Sequence, residues 1–194
     1  MNEKPTSVED RIIAATIDCI DKYGISGATN RQIAGMAGVN IAAINYYFRS
    51  KDNLIQRCME ITLKNAFDLS DFPPMPGASA HERCLAVLID LIQGGYQYPG
   101  LTRSHFYSLL AEGRLDPLMV EHVNRFVDEL VADLQDRGCA LELDDLKVAL
   151  VQIMSAVFMA ILAPDLFEGR QGINLRDPQA CRAYVASLVS KLLT

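Results

Sequence analysis

No stretch of this 194-residue chain alternates polar and apolar residues over the length of a strand, and no internal repeat or low-complexity tail interrupts it. Half-buried strands need that alternation, so a sheet protein is excluded. Phosphate-cradling glycines are missing too. There is no P-loop and no dinucleotide-binding glycine fingerprint. Ser104-His105 has no assignable acid partner, which leaves a hydrolase triad unsupported. With no catalytic constellation, the chain reads as a non-enzyme without a cofactor. The five cysteines (Cys19, Cys58, Cys84, Cys139, Cys181) form no CxxC pair. Their odd count and wide spacing fit reduced, inert thiols in a cytoplasmic protein better than a redox sensor. His81 and Cys84 place two metal-ligand types on one helical face, but zinc needs three or four, and His105 and His122 lie elsewhere. No metal is expected. The N-terminal MNEKPTSVEDR holds no apolar stretch, so no signal peptide is expected. The longest apolar tract, Val148 to Ala163, contains Gln152 and Ser155. It falls short of the roughly 20 residues of a membrane span, so it reads as a buried helix with no membrane partner.

What is present is helix. Half of the residues are hydrophobic and the net charge is −6. Up to residue 60 the chain has seven Lys or Arg against seven Asp or Glu; the remainder has eleven against seventeen. The acidic excess therefore belongs to the second part alone, and the first part is neutral. Ser7 and Asp10 open a helix with Ile13, Ile17 and Ile20 as its stripe, ended by Tyr23-Gly24. A helix from Ser50 runs to about Leu69, and the proline-rich Phe72–Gly77 stretch then breaks the chain. Further helices are expected at about 79–98, 101–112, 117–137, 144–163 and 177–193. Asp116-Pro117 and Asp177-Pro178 each supply an N-cap followed by proline at the first helical position.

Residues 29–51, TNRQIAGMAGVNIAAINYYFRSK, carry the densest signal. Thr29 and Gln32 form a capping box. Gly38 suits the left-handed residue that ends a helix. Asn40 caps the next helix, on which Ile44 and Phe48 sit four apart and face inward. Two short helices joined by a tight glycine turn are the layout of a helix-turn-helix. The outward set, Ile41, Ala42, Ala43, Asn45, Tyr46 and Tyr47, has no charge, unlike an ordinary solvated face. Alanines allow close approach to a base, Asn can bond an adenine edge, and Tyr hydroxyls bond phosphates. Thr29 and the helix end behind it can hold a phosphate, and Arg31, Arg49 and Lys51 bracket the surface.

From Arg11 to about Leu54 the chain resembles the TetR family of bacterial transcription regulators. The resemblance runs through RIIAATIDCIDKYG, GATNRQIAGMAGVN and AINYYFRSKDNL. It implies an all-α fold of about nine helices: a three-helix DNA-binding domain over 1–50, a connecting helix from about 50 to 70, and a helical effector-binding and dimerisation domain over 71–194. It implies DNA contacts by Thr29, Arg31 and Gln32, by Asn40, Ile41, Ala42, Ala43, Asn45, Tyr46 and Tyr47 of the recognition helix, and by Lys51 on a phosphate. Asn45 stands where many members have Tyr, Tyr47 where many have His, and Ala42 where Gly is frequent.

In the second part, the helices holding Val151, Met154, Ala156, Val157, Ala160 and Ile161, and Ala183, Ala186, Val189 and Ser190, leave little polar face. They are expected to meet their copies across a two-fold axis as a four-helix bundle, rather than to be buried in one protomer. The resemblance also implies an effector cavity. Candidates to line it are Tyr96, Phe106, Tyr107, Leu110, Met119, Val123, Phe126 and Phe158, with Arg103, His105 or Asn124 as polar contacts. Core packing is the competing role for each apolar one. The function expected is a ligand-responsive repressor that binds a palindromic operator as a homodimer and answers to a small hydrophobic effector. The alternative is a helical ligand-binding or interaction module without DNA binding.

Overall fold

The computed structural model describes residues 7–166 and 168–193, with the backbone alone at 170; residues 1–6, read above for a leader, lie outside the described residues. Every regular element among them is helical. The helices are α1 (Val8–Gly27), α2 (Asn30–Ala37), α3 (Ile41–Phe48), α4 (Lys51–Ala66), α5 (Ala80–Gln97), α6 (Pro99–His105), α7 (Tyr107–Glu112), α8 (Pro117–Asp136), α9 (Leu143–Leu162), α10 (Glu168–Gln171) and α11 (Pro178–Leu192). Two differences raise the expected count of about nine. The 101–112 helix is broken at Phe106 into α6 and α7, and α10 is a single turn. Pro99-Gly100 also starts a helix rather than merely ending one, since proline at the first position forfeits no helical hydrogen bond.

Two compact units divide the chain, and they do not follow one cut near residue 70. The first combines Met1–Lys64 with Tyr98–Met119; the second combines Asn65–Gln97 with Val120–Thr194. The returning segment joins the first unit because α6 packs along α1, a long-range pairing that no local breaker signals.

In the first unit, Ile12, Cys19 and Ile20 of α1, Ile33 of α2, Ile44 of α3 and Leu54 and Cys58 of α4 form a core with no solvent exposure, joined by Leu101 of α6. Ser7 and Asp10 make a reciprocal capping box at the start of α1. Gly24, at φ 71°, breaks the helix where Tyr23-Gly24 was expected to end it.

In the second unit, α5 packs on α9 and α11, and α9 packs on α11. Leu88, Ile92, Leu146, Leu150, Ile153, Val157, Val185 and Val189 line these contacts, all fully buried. Phe67, Phe126 and Phe158 form an edge-to-face chain with centroids 5.8 and 6.2 Å apart, and Phe72 adds a tilted contact to Phe126. α9 is 20 residues long and, by length and composition alone, apolar enough to cross a membrane. The helix exceeds the apolar tract read from Val148 because residues 143–147, with Asp144, Asp145 and Lys147, add a charged first turn. Its Leu146, Ala149, Leu150, Ile153, Met154, Val157 and Ala160 face the protein core.

Proline at 164 leaves a defect at the end of α9. The Ala160 carbonyl would ordinarily accept the N–H four residues on, which Pro164 lacks. The Tyr96 hydroxyl of α5 donates to that carbonyl at 2.9 Å instead. Tyr96→Phe keeps the ring and orphans a buried acceptor. It is expected to cost about 1–3 kcal/mol of unfolding free energy, measured by urea denaturation. A variant as stable as the parent would show that the carbonyl needs no donor.

Candidate nucleic-acid interface

The helix-turn-helix is held by its caps. Gln32 N donates to Thr29 Oγ1 at 3.3 Å and Thr29 N donates to Gln32 Oε1 at 3.0 Å, the reciprocal box that starts α2. Gly38 closes α2 at φ 64°, where a side chain is disfavoured, and its N–H reaches back to the α2 carbonyls. Ala42 N donates to Asn40 Oδ1 at 3.0 Å, opening α3. Ile44 and Phe48 are buried behind α3. Arg49 then takes φ 67°, a rare left-handed value for a residue with a side chain, and ends α3 abruptly. Ser50 Oγ accepts from Asn53 N at 3.1 Å to start α4.

This frame leaves a single outward face on α3. Tyr46, 81% exposed, stands opposite the buried Ile44–Phe48 pair. Ala42 and Asn45 are exposed beside it, and Ala43 is half-buried. Ile41 and Tyr47 are 42% and 43% exposed at the margins. The Tyr46 and Tyr47 rings meet edge-on, with centroids 5.1 Å apart. Thr29 and Arg31 are exposed at the start of α2, where free backbone N–H groups point outward, and Gln32 is half-buried in the box. Lys51 reaches the same place: its Nζ donates to the Ala28 carbonyl at 3.0 Å, immediately before the Thr29 cap. The ammonium thus sits at the positive end of α2, an arrangement suited to an anion. Sequence reasoning placed Lys51 at the surface but missed this anchor, because residues 28 and 51 are linked only through the folded turn.

The candidate effector residues are less concentrated. Arg103, His105, Phe106, Tyr107, Leu110 and Met119 belong to the first unit; Tyr96, Val123, Asn124, Phe126 and Phe158 belong to the second. Within the first, Tyr107 and Leu110 are 62% and 68% exposed, whereas Phe106 and Met119 are buried. Arg103 is exposed. His105 is bonded to Thr62 Oγ1 at 2.9 Å. Burial drives its pKa down to about 4, against a small raising effect of Asp116, so the ring is neutral at ordinary pH. Within the second, Phe126 and Phe158 both touch Phe67. A buried His122, overlooked as a candidate, accepts at Nδ1 from Arg125 at 2.6 Å.

Burial pushes the Cys58 and Cys84 thiols up to about 12 and raises those of Cys19 and Cys181, which suppresses thiolate chemistry. His81 Nε2 meets Ser190 Oγ at 3.0 Å, and among the described residues no three His, Cys, Asp or Glu side chains converge.

Fold and site together define an α-helical protein with a helix-turn-helix head. Residues 12–58 match the bacterial regulatory proteins of the tetR family. The HTH-type transcriptional dual regulator CecR of Shigella flexneri is 43% identical over 60 residues, 31% of this chain and 26% of that protein. The HTH-type transcriptional regulator BetI of Klebsiella pneumoniae is 37% identical over 81 residues, 40% of this chain and 41% of that protein. The alignment thus spans less than half of either relative. Along nearly the whole chain, the likeness is one of fold. A TetR-family regulator from Mesorhizobium loti matches with a TM-score of 0.72 at 14% identity, covering 99% of this chain and 98% of that one. The multidrug binding protein EbrR, solved with imidazole, matches at 0.61 and 16%, covering 97% and 96%. The family match is confined to residues 12–58, and over the rest of the chain the likeness to TetR-family structures is one of fold alone.

Proposed function

We propose that this chain is a cytoplasmic, ligand-responsive transcription regulator that binds a palindromic operator as a homodimer and represses the gene it covers. The observation that carries the proposal is α3: an uncharged Ala/Asn/Tyr face turned to solvent, fixed from behind by Ile44 and Phe48. Two such helices would enter successive major grooves about 34–36 Å apart. The neutral charge of the first sixty residues makes pairing of two heads important, since few cations are available for phosphate. α9 supplies a surface for that pairing. Val148, Val151 and Met159 form an exposed apolar stripe opposite its buried face, and Ala183, Ser187 and Ser190 leave small exposed positions on α11. Apolar surface of this kind on both sides of one helix is the pattern of a subunit contact.

The effector is proposed to be a small, largely hydrophobic molecule, as befits the multidrug ligands named for EbrR. The aromatic group of Phe67, Phe72, Phe126 and Phe158 supplies apolar contact surface in the second unit. An effector shifts the regulator only by its differential affinity for the DNA-competent and DNA-incompetent states. The alternative, a helical module that has lost DNA binding, is not favoured.

Gel retardation with the DNA upstream of the chain's own gene, at several salt concentrations, tests the reading. Retardation at low salt is expected; its absence favours the alternative. Lys51→Ala should weaken binding to all sequences alike and reduce the salt slope by about one unit. An unchanged slope would remove Lys51 from the phosphate contacts.

A further inference from the structure

Resting on the DNA contact proposed above, we infer that the base pairs beneath the centre of α3 are A·T pairs, recognised by thymine methyl groups and an adenine edge. Direct hydrogen bonds to guanine are not used there. The inference comes from what the outward face can and cannot do. Reading a guanine edge takes a bidentate donor, most often Arg or Lys. The exposed and half-exposed side chains of α3 are Ile41, Ala42, Ala43, Asn45, Tyr46 and Tyr47, with no cation among them. The nearby cations stand off this face. Arg31 is on α2, Arg49 is beyond the end of α3, and Lys51 is tied to the Ala28 carbonyl.

Three of the six residues, Ile41, Ala42 and Ala43, have no polar atom in their side chains. The one specific attraction they offer a base edge is apolar contact with the C5 methyl, which thymine has and cytosine lacks. Ala42 lies next to Tyr46 at the centre of the face, and its short side chain lets the backbone approach. Ile41 adds apolar surface at the N-terminal end, the end from which recognition helices commonly reach base edges. Asn45 is the one amide on the face, and its matched partner is adenine N6 and N7. The Asn40 oxygen is committed to the Ala42 N–H, so it leaves the methyl reading unopposed.

The experiment is selection from a pool of randomised DNA duplexes with the purified full-length protein. The enriched duplexes are then resynthesised with deoxyuridine in place of thymidine in the half-site core. Enriched A·T cores are expected, and each contacted methyl removed should weaken binding about four-fold. Replacing the core adenine by 7-deazaadenine should weaken the parent protein and leave Asn45→Ala indifferent. Ile41→Ala, an exposed change, should bind thymine and uracil duplexes with a smaller ratio than the parent. Guanine-containing cores, or uracil duplexes bound as tightly as thymine ones, would overturn the inference while leaving DNA binding intact. If no duplex is enriched even at low salt, the proposal of DNA binding falls with it.

Discussion

Gly100→Ala is expected to cost the first unit about 3 kcal/mol or more. α6 lacks a capping side chain at its own N-cap, Tyr98. The cap comes from α1: Asp21 Oδ1 accepts from Gly100 N at 2.7 Å and from Leu101 N at 3.0 Å. One carboxylate therefore satisfies two orphan N–H groups and lies at the favourable end of the α6 dipole. That contact brings the two backbones together. A Cβ on residue 100 would lie 2.7 Å from the Asp21 carbonyl carbon, closer than real side chains come, and 3.0 Å from its Cα. Neither neighbour is the mobile end of a side chain, so α1 and α6 must separate and both capping bonds lengthen. Overpacking alone commonly costs 1–3 kcal/mol, and the cap is lost in addition. Gly94→Ala in α5 is the control. Nothing lies within 4 Å of its new methyl, and helix propensity should make it stabilising by up to about 1 kcal/mol. Urea denaturation of both variants checks the pair. If Gly100→Ala were as stable as Gly94→Ala, the close approach would be disproved.

Asp133→Ala is expected to be the most damaging single change in the second unit, at about 3–5 kcal/mol. The Asp133 carboxylate is shared by two guanidiniums: Arg83 Nε donates to Oδ2 and Arg137 Nε to Oδ1, each at 2.7 Å. Arg83 is only 4% exposed and also donates to the Pro73 carbonyl. Arg137 reaches the carbonyls of Met75, Ala78 and Pro74 at 3.0, 3.1 and 2.8 Å. Without the carboxylate, a buried cation faces a second cation and the 73–78 segment loses its tether. Burial opposes ionisation of Asp133, but the hydrogen bonds and charges of the two arginines prevail and hold its pKa below 3.8. A depressed carboxylate pKa sets the sign. The stabilisation is present above the ordinary carboxylate range and is lost as pH falls through the lowered native pKa. Asp133→Asn should therefore lower stability near neutrality and flatten the acid limb of the stability profile. Parallel profiles for Asn and Asp at acid pH would refute the linkage.

Local grammar made the head legible. Thr29 with Gln32, Gly38, Asn40 and the Ile44–Phe48 pair all act through neighbours within a few residues, and each sits where such rules place it. Features built by distant residues were not legible. Asp21 caps a helix about eighty positions on, and Arg83 meets Asp133 fifty positions away. Neither carries any periodicity or spacing. The effector candidates fall in both units, because nothing local in 98–112 marks its return to α1. One long-range bond did leave a trace. A proline at 164 orphans the carbonyl at 160, so a donor had to be found elsewhere.

The reversed φ of Arg49 fixes more than a turn. By stopping α3 after eight residues, a rod of about 12 Å, it also sets the point and direction from which the chain leaves for α4. A residue at 49 unable to take that conformation would let α3 run on and displace the Ser50 cap from which α4 starts.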